Sequence, residues 1–494
     1  MSATTLDISE LPISDETRSF LSKHIGHFID GEVVVGTHSM PVIDPSTGKQ
    51  VATASVGTAE DVDRAVRSAR AAFDDGRWRN LPPHEKERVL RRMAELVEEK
   101  RDVFGELDAV DAGLLRSYVR FLEVFAIDGI NYFAGWPSKI SGTLPAVPSE
   151  FTVLETREPV GVVGMIMPWN GPTAVFVFVA AALAAGNTVV LKPAENTPTT
   201  ALLMAEVASE AGLPDGCFNV VQGTGEVAGD ALVRHPGVNV ISFTGSVPTG
   251  RRIQAAAADR LTRVSLELGG KSPIIVFPDA DIEAAALTAA GSCWGGSGQV
   301  CTAGTRALVH RSIHDEFVRV AVESGRSLKL GPAFDETATM GPLVSQAQLD
   351  RVSSYVELGR KEGAELALPG GRWGEAGFFH EPVIFTEVRN DMRIAQEEIF
   401  GPVLSVIPFD TEEEALAIAN DVEYGLAAGV FTENLSRALR FSRELQAGTV
   451  WVNSYQMVYP SVPYGGVKQS GYGRTLGEAC LEDFTQRKSV WLKV

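Results

Sequence analysis

The sequence predicts an α/β protein of two or three domains, each built on a largely parallel sheet. At 494 residues the chain exceeds what one simple core accommodates. From about residue 161 onward, short apolar runs alternate with helical patterns, which indicates parallel strands joined by helices that cover both faces. Hydrophobic residues make up 45% of the chain and charged residues 22%, which is ordinary for a globular protein.

Charge and cysteine content disfavour several classes of protein. The formal net charge of −19 argues against nucleic acid and against an anionic membrane surface, since both reward Lys and Arg. The four cysteines are too few and too scattered for a disulfide framework, so we expect a reducing, cytoplasmic compartment. The first 20 residues lack a signal-peptide core, and no Cys or His spacing indicates a metal site. The longest apolar stretch, about 174–185, is too short to span a bilayer.

The segment before residue 161 contains two helical patterns between less regular stretches. Apolar residues recur at helical spacing over 60–73 and over 85–107, and Pro82-Pro83 separates the two. Residues 1 to about 30 have the composition of a capping arm. Residues 133–148 are rich in glycine and proline and predict a boundary or an excursion.

The alternation after residue 161 predicts an element for each stretch in turn. The first unit contains strand 162–167, helix 174–185, strand 188–192, helix 199–211, strand 218–222, helix 226–234, strand 238–243 and helix 249–258. This is a doubly wound layout typical of nucleotide binding. The second unit contains strand 273–277, helix 282–293, strand 307–309, helix 313–328 and, near the end, strand 449–453. The tail 488–493 has strand composition and is suited to extend another subunit's sheet.

Two turns in the first unit have the chemistry of a dinucleotide site. Gly245, Ser246 and Gly250 follow a strand and open a helix, where glycine admits a phosphate and the helix N-terminus presents free N–H groups. Lys192 and Glu195 leave an earlier strand, where an acid can bind ribose hydroxyls and repel a 2′-phosphate. Taken alone, the first turn is also compatible with a glycine-rich turn that binds nothing, and the second with a solvated surface charge pair. Their presence in one unit favours the nucleotide.

Two further positions are candidates for a role in binding or chemistry. Asn170 ends the first strand of this unit, where its side-chain NH₂ can stabilise an oxyanion, and an Asx turn or helix cap is the alternative. Glu398 and Phe400 precede a turn at Gly401-Pro402. There the acid can hold a second ribose and the ring can pack on a nicotinamide, and a helix end with an exposed Glu is the alternative.

Cys301 and Glu267 predict the chemistry most directly. Cys301 follows a run of small residues, 295–298, through which a substrate can approach the thiol. Glu267 is followed, after Leu268, by two glycines, and a carboxylate can act as base for a thiol nucleophile. Most cysteines are small buried hydrophobes, but the surrounding glycines and the Glu267 stretch favour a nucleophile here. With a nucleotide site upstream, the pair predicts oxidation of an aldehyde through a thioester.

Together these residues resemble the aldehyde dehydrogenase superfamily of NAD(P)-dependent enzymes, over nearly the whole chain. The motifs that carry the resemblance are PWN at 168–170, KPAE at 192–195, FTGS at 243–246, ELGGK at 267–271, GQVC at 298–301, EEIFGP at 397–402, PYGG at 463–466 and SGYGR at 470–474. The resemblance implies a Rossmann-like NAD-binding domain over 1–136 and 160–267 and a catalytic domain over 268–475. It also implies a small β oligomerisation element over 137–159 and 476–494, in a homodimer or homotetramer.

The resemblance implies a role for each site residue. Cys301 is the nucleophile, Glu267 the general base, and Asn170 forms the oxyanion hole with the backbone N–H of Cys301. The residues expected to hold NAD, with NADP as the alternative, are Met167, Trp169, Lys192, Glu195, Gly225, Phe243, Gly245, Ser246, Gly250, Leu268, Glu398 and Phe400. The thiolate attacks the aldehyde, hydride passes to NAD⁺, and Glu267 activates the water that releases the acid.

Several positions depart from the family pattern. Residues 112–115 are Ala-Gly-Leu-Leu where the family often has Asn-Gly-Lys-Pro, and Thr475 stands where many members carry a proton-relaying Glu. Gly171 and Gly295 stand where many members carry aromatics, which predicts a wide tunnel for an apolar or bulky aldehyde. The tunnel residues are expected to be Gly171, Phe178, Gly295, Val300, Thr302, Met457 and Tyr459.

Two other functions compete with hydrolytic aldehyde oxidation. Family members that pass the acyl group to coenzyme A commonly lack a Glu at the position of Glu267. Non-catalytic relatives tend to lose the nucleophile. The presence of Glu267 and Cys301 favours the hydrolytic dehydrogenase over both.

Overall fold

The computed structural model describes residues 5–494 and contains two large sheets, each flanked by helices. Its helices are α1 (Asp15–Leu21), α2 (Ala59–Asp74), α3 (Pro83–Glu99), α4 (Arg101–Ala112), α5 (Arg116–Ala134), α6 (Phe176–Ala184), α7 (Thr199–Glu210), α8 (Asp230–Arg234), α9 (Val247–Ala258), α10 (Ile282–Trp294), α11 (His314–Ser327), α12 (Gln346–Glu362), α13 (Arg393–Gln396), α14 (Glu412–Asn420), α15 (Leu435–Glu444) and α16 (Cys480–Phe484).

The strands fall into the two large sheets and three small ones. They are β1 (His24–Ile25), β2 (His27–Ile29), β3 (Glu32–Val34), β4 (His38–Asp44), β5 (Lys49–Val56), β6 (Phe151–Pro159), β7 (Val162–Ile166), β8 (Thr188–Lys192), β9 (Phe218–Val220), β10 (Val240–Gly245), β11 (Arg263–Leu268), β12 (Pro273–Val276), β13 (Arg306–His310), β14 (Glu365–Leu368), β15 (Val383–Thr386), β16 (Val403–Phe409), β17 (Tyr424–Gly425), β18 (Ala427–Phe431), β19 (Thr449–Val452), β20 (Val467–Lys468), β21 (Gly471–Tyr472) and β22 (Thr485–Lys493).

The first large sheet has the order β21-β11-β10-β7-β8-β9-β2-β3. Its five central strands, from β11 to β9, run parallel, and the strand pairings at both edges are antiparallel. Every residue of β7 and β8 is buried, as expected where helices cover both faces of a parallel sheet. The carboxyl ends of β7, β8, β10 and β11 therefore meet at one edge, where ligands bind in folds of this kind.

The second large sheet has the order β14-β15-β16-β13-β12-β18-β19 and is parallel except for β14. The small sheets are β1-β5-β4, β17-β20 and β22-β6. This architecture confirms the predicted α/β class with a Rossmann-like unit, a second α/β unit and a small β element. The exact residue limits assigned to the domains stay predictions.

Two buried carboxylates on α4 hold the helices that follow β7 and β8. Asp111 accepts hydrogen bonds from the backbone N–H of Thr199 at 3.0 Å and from its hydroxyl at 2.8 Å. Asp108 accepts from the backbone N–H of Thr173 at 3.2 Å and from the hydroxyl of Thr200 at 2.8 Å. Both carboxylates thereby cap orphan N–H groups at helix starts. They also anchor the two turns that leave the carboxyl ends of β7 and β8.

The structure corrects two predictions about the chain before residue 161 and shows which strand pairs with the tail. The helix predicted over 85–107 is two helices, α3 and α4, because the backbone turns at Lys100 (φ −100°, ψ 15°). The predicted capping arm instead contributes α1 and strands, and β2 pairs with β9 at the edge of the first sheet. The tail pairs along its length with β6 of its own chain, a strand that the sequence pattern did not indicate.

Smaller differences concern helix starts and membrane character. The helix predicted from residue 226 begins with a π-helical turn at Gly225–Gly229 and continues as α8. The helix predicted over 174–185 begins with a 3₁₀ turn at Thr173–Val175, followed by α6. Within residues 5–494, no helix combines the length and the apolar character that crossing a bilayer requires.

Candidate active site

The glycine pair after Glu267 lies where three of the sequence motifs meet. A methyl group on Gly270 would stand 2.8 Å from the backbone oxygen of Cys301, and one on Gly269 would collide with the carboxylate of Glu398. The Gly270 N–H donates to Glu398 Oε1 at 3.1 Å. Only glycine permits this approach, because any side chain would push the turn of Cys301 and the turn of Glu398 apart. The carboxyl end of β11 is thus the centre of the site.

Cys301 differs from the other cysteines in its surroundings. Cys217, Cys293 and Cys480 are buried, whereas Cys301 is partly exposed. Burial of the thiol raises its pKa to about 11, and the negative charges of Glu398 and Glu267 act in the same direction. A hydrogen bond between its Sγ and the hydroxyl of Tyr464, 3.1 Å away, lowers the pKa of the thiol. The thiol therefore needs a base, or a bound charge, to become a nucleophile at neutral pH.

Glu267 is a buried carboxylate whose hydrogen-bonding capacity is not used. Its residue is 6% exposed, and neither carboxylate oxygen has a hydrogen-bond partner within residues 5–494. The nearby N–H of Thr475 donates to the backbone oxygen of Tyr464 instead. Burial raises the pKa of Glu267 well above its usual range, and the charge of Arg474 only partly opposes this. A raised pKa makes the ionised carboxylate a stronger base.

Gly465 makes room for the carboxylate of Glu267. It has φ +154°, and a methyl group there would stand 2.6 Å from Glu267 Oε1. The PYGG motif therefore lies directly against the predicted base. The sequence resemblance included this motif but assigned it no role.

Asn170 lies beside the loop that carries Cys301. Its Nδ2 donates to the backbone oxygen of Gln299 at 2.9 Å, two residues before the cysteine. The Gln299 side chain in turn accepts from the N–H of Val344 at 2.9 Å, which holds this loop against its own domain. An amide nitrogen carries two N–H groups, so the observed bond engages one of them and leaves one for an oxyanion.

The turn after β10 forms the start of α9. Ser246 caps this helix by accepting from the Thr249 N–H at 3.4 Å. The Phe243 ring packs on Gly245, and the Leu268 side chain packs on Gly250, so helix and strands approach closely. A 12-residue helix with its N-terminus at the ligand edge of the sheet offers N–H groups to a phosphate.

Lys192 and Glu195 form an ion pair at the carboxyl end of β8. Their Nζ and Oε2 atoms are 3.2 Å apart, with the Lys192 side chain 3% exposed and that of Glu195 46% exposed. Burial lowers the pKa of Lys192, and the charge of Glu195 opposes this. The Met167 N–H donates to the backbone oxygen of Lys192 at 3.1 Å. Gly225, at the start of the neighbouring π-helical turn, faces open space.

Glu398 and Phe400 lie at the other end of the predicted cofactor site. Burial raises the pKa of Glu398 to about 7, while the Gly270 N–H lowers it. The Phe400 and Trp169 rings meet edge to face, with centroids 5.3 Å apart. Sequence reasoning missed two residues of α12 that hold this turn. Gln348 donates to the backbone oxygen of Phe400 at 2.7 Å, and Arg351 donates to that of Ile399 at 3.2 Å.

The residues predicted to line the tunnel are only partly gathered in one place. Gly295 borders a pocket of about 270 Å³ whose wall includes Leu115, Tyr118 and Met340. Gly171 faces Leu122 and Ala174, while Val300 contacts Gly296 and Thr302 adjoins Tyr464. Phe178 packs against the hydrophobic core, and the exposed Met457 and Tyr459 do not border this pocket. A tunnel lined by all seven residues stays a prediction.

Comparison with known proteins identifies the class to which this fold and site belong. The chain matches the aldehyde dehydrogenase family over residues 34–490. It is 43% identical to aldehyde dehydrogenase, cytosolic 1, of Rattus norvegicus, over 97% of this chain and 95% of that protein. It is 41% identical to a putative aldehyde dehydrogenase of Bacillus subtilis over the full length of both.

Solved structures agree with this class. The NAD⁺ complex of aldehyde dehydrogenase from Bacillus cereus superposes with a TM-score of 0.96 and 40% identity, covering 98% of this chain and 99% of that one. Betaine aldehyde dehydrogenase from Staphylococcus aureus, also in complex with NAD⁺, gives a TM-score of 0.94 and 36% identity, covering 97% of each chain. The protein therefore belongs to the aldehyde dehydrogenase family and is an oxidoreductase, as the sequence predicted.

Proposed function

We propose that this protein oxidises an aldehyde to its carboxylic acid with NAD⁺, through a thioester on Cys301, and that water is the acyl acceptor. The observation that carries the proposal is the convergence of a partly exposed thiol and the buried carboxylate of Glu267, whose oxygens accept no hydrogen bond in the described chain. A carboxylate left in this state has capacity to bind and activate water. An enzyme that passes its acyl group to coenzyme A has no water to activate, and activated water would waste its acyl intermediate.

The residues at the carboxyl edge of the first sheet fit NAD. The N-terminus of α9 and the ammonium of Lys192 suit a pyrophosphate or an adjacent ribose, and open space at Gly225 leaves room beside them. Glu195 and Glu398 offer carboxylates to ribose hydroxyls, and the paired rings of Trp169 and Phe400 offer an apolar surface. NAD⁺, when bound, supplies the acceptor for the hydride that leaves the aldehyde carbon.

The chain's own groups then perform the remaining chemistry. Cys301 Sγ gives its proton to Glu267 and forms a bond to the carbonyl carbon, whose π electron pair moves to oxygen. The free N–H of Asn170 stabilises that oxyanion. After the carbon has been oxidised, Cys301 carries a thioester. Glu267, once its proton has passed to solvent, removes a proton from water, and the resulting hydroxide expels the thiolate and releases the acid.

The substrate is proposed to be apolar or bulky. Gly171 and Gly295 leave space where a side chain would otherwise project, since no atom lies within 3.4 Å of a methyl group built on either. The 270 Å³ pocket beside Gly295 has Leu115, Tyr118 and Met340 in its wall. These three side chains favour hydrocarbon over charged substrates, although Ser117, Ser297 and Thr339 also line the pocket.

We also propose a homodimer or homotetramer in the cytoplasm. The β6–β22 ladder exposes Trp491 and Leu492, and Val494 directly after it is also exposed, which gives an apolar surface for a second copy. The rat relative is named as a cytosolic protein. Light scattering after size-exclusion chromatography measures the assembly, and a monomeric mass would contradict it.

The test is NADH formation with a panel of aldehydes of increasing bulk, using the wild type beside Cys301→Ala. Parallel assays contain NAD⁺ or NADP⁺, with and without coenzyme A. We expect turnover with NAD⁺ alone and none in the variant. Turnover that requires coenzyme A would indicate an acylating aldehyde dehydrogenase and would contradict water as the acyl acceptor. No turnover with any aldehyde, despite bound NAD⁺, would support a non-catalytic role.

The size preference has its own test in Gly171→Phe. A ring at this position fills the open space and should lower kcat/KM for bulky aldehydes more than for small ones. An unchanged ratio between the two would contradict the proposed substrate class.

A further inference from the structure

The hydroxyl of Tyr464 makes the closest polar contact that the structure records for the Cys301 thiol. The two atoms are 3.1 Å apart, within the range of a hydrogen bond to sulfur. Two more phenols, Tyr118 and Tyr455, lie close enough for the charge of an ionised Cys301 to raise their pKa, but the described residues show no hydrogen bond from either to its Sγ. Tyr464 is therefore distinguished from them by direct contact with the sulfur.

The backbone around Tyr464 is held on both sides. Its N–H donates to the backbone oxygen of Thr475 at 2.7 Å, and the Thr475 N–H donates back at 2.8 Å. The next residue, Gly465, lies against the carboxylate of Glu267. One short segment thus places a phenol on the nucleophile and a glycine against the base, so the hydroxyl is aimed by the fold and not by a mobile loop.

The direction of the hydrogen bond follows from the chemistry of the two groups. The phenol and the thiol can each donate when both carry a proton. Burial keeps the pKa of Tyr464 well above its usual range, so the phenol stays protonated after the thiol has lost its proton. Once Sγ is a thiolate it can only accept, and the Tyr464 O–H then points at its negative charge.

We propose that Tyr464 is a positioning residue for the nucleophile: it donates a hydrogen bond to the Cys301 thiolate, stabilises it in the absence of cofactor, and orients it for attack. This inference rests on the proposed thioester mechanism and adds a residue to it. In the first step the thiol proton goes to Glu267, the Sγ electron pair remains on sulfur, and the phenol keeps its own proton. The hydrogen bond weakens when Sγ bonds to carbon, because the sulfur loses its charge.

Other charges around Cys301 do not explain the same effect. Glu267 and Glu398 are negative when ionised and oppose the thiolate, and Tyr118 and Tyr455 are neutral. Among side chains, Tyr464 is the group recorded as favouring the thiolate, and the backbone N–H of Thr302 adds to it. Removing the Tyr464 hydroxyl should therefore make the thiol harder to ionise.

The test is the pH dependence of Cys301 alkylation by iodoacetamide in the cofactor-free enzyme, comparing wild type with Tyr464→Phe. Hydrogen bonds to charged groups are strong enough to predict a fall of about 10- to 100-fold in alkylation rate at a fixed pH below the thiol pKa. The titration midpoint should move to higher pH. Tyr455→Phe, which removes a neighbouring phenol outside the proposed substrate pocket, is the matched control and should leave the midpoint in place.

The outcomes separate this inference from the proposed function. Equal midpoints in wild type and Tyr464→Phe would overturn the role of Tyr464, even if Cys301→Ala abolishes aldehyde oxidation. Full oxidation by Cys301→Ala would overturn the thioester mechanism, whatever the alkylation profile. If Tyr464→Phe fails to fold, replacement by a fluorinated tyrosine keeps the ring and strengthens the donor. The midpoint should then move to lower pH, and no movement would again contradict the role.

Discussion

Buried carboxylates occur in two settings in this molecule, and they are treated in opposite ways. Asp111 accepts from the backbone N–H and the hydroxyl of Thr199, at the start of α7. Glu267, at the carboxyl end of β11, is buried to a similar degree, yet its two oxygens accept nothing within residues 5–494. Buried polar groups in folded proteins are almost always satisfied, so an exception needs an explanation.

The difference teaches what each carboxylate contributes. Hydrogen bonds to residues at the N-termini of helices offset the desolvation cost of burying Asp111 and Asp108. Both side chains therefore stabilise the fold. Glu267 accepts no hydrogen bond from its neighbours in the described chain, so its lone pairs are available to a proton or a water molecule. A carboxylate that stabilises nothing in the resting protein is better explained by chemistry than by structure.

The largest effect is expected when Glu267 loses its ability to accept a proton. Glu267→Gln keeps the size of the side chain but cannot accept a proton, so we expect kcat to fall by about 10²- to 10⁴-fold. The Tm should stay level or rise, because a neutral amide is cheaper to bury than an unpaired carboxylate. Steady-state kinetics and thermal unfolding measure the two effects. A variant within tenfold of wild-type kcat would show that another group is the base.

The next largest effect is expected when Asp111 loses the oxygens that accept hydrogen bonds from Thr199. Asp111→Ala leaves the Thr199 N–H and hydroxyl without their acceptor, which should destabilise the fold by about 1–3 kcal/mol. Denaturant unfolding followed by circular dichroism measures the loss. Asp111→Asn retains an acceptor oxygen and is the matched control, with a smaller expected loss. Equal stability of the Ala variant and wild type would remove the structural role of this carboxylate.

An effect that is smaller per pH unit appears when pH is varied. Burial raises the pKa of Asp111 to about 8, so the folded protein holds a proton that the unfolded chain releases near pH 4. The stability from this group is full below about pH 4 and is lost as pH rises toward 8.

Asp111→Asn does not titrate at this position. Between about pH 5 and 8 it should therefore lose less stability than wild type, by up to roughly 1.4 kcal/mol per pH unit. Asp128→Asn, at an exposed position on α5, should follow the wild-type profile. Parallel profiles for wild type and Asp111→Asn would mean that Asp111 ionises in the folded state at its ordinary pKa.

The smallest effect is expected at Glu195, an exposed carboxylate that contrasts with the buried Glu267 and Asp111. Glu195 pairs with Lys192 and is half exposed, so solvent screens it. Glu195→Gln removes repulsion of a 2′-phosphate and should raise kcat/KM for NADP⁺ by about fivefold or less, with little change in stability. Kinetics with both cofactors measure it, and an unchanged cofactor ratio would place the discrimination on another residue.

Sequence reasoning worked best where information is local. Periodicity predicted the alternating strands and helices from β7 to α9 in the first α/β unit, because a helix or strand face recurs within a few residues. In the second unit it located only β12, α10, β13, α11 and β19. Periodicity missed the helix break at Lys100, because the apolar pattern continues through that residue. It also missed strand β6, because that strand contains few apolar residues. Motif resemblance predicted the family, which the comparisons confirm, and the candidate roles of Cys301 and Glu267, which stay proposals.

What the sequence determined by itself is therefore the α/β class, the family and the residue types able to do the chemistry. Which of these residues contact one another was decided only by the tertiary structure. Tyr464 and Cys301 are 163 positions apart, Asn170 and Gln299 are 129 apart, and Glu398 and Gly270 are 128 apart. Contacts at such separations depend on how the two sheets and their loops pack, because chain neighbours place no constraint on them. The phenol on the thiol and the unsatisfied carboxylate of Glu267 in the described chain are products of that packing.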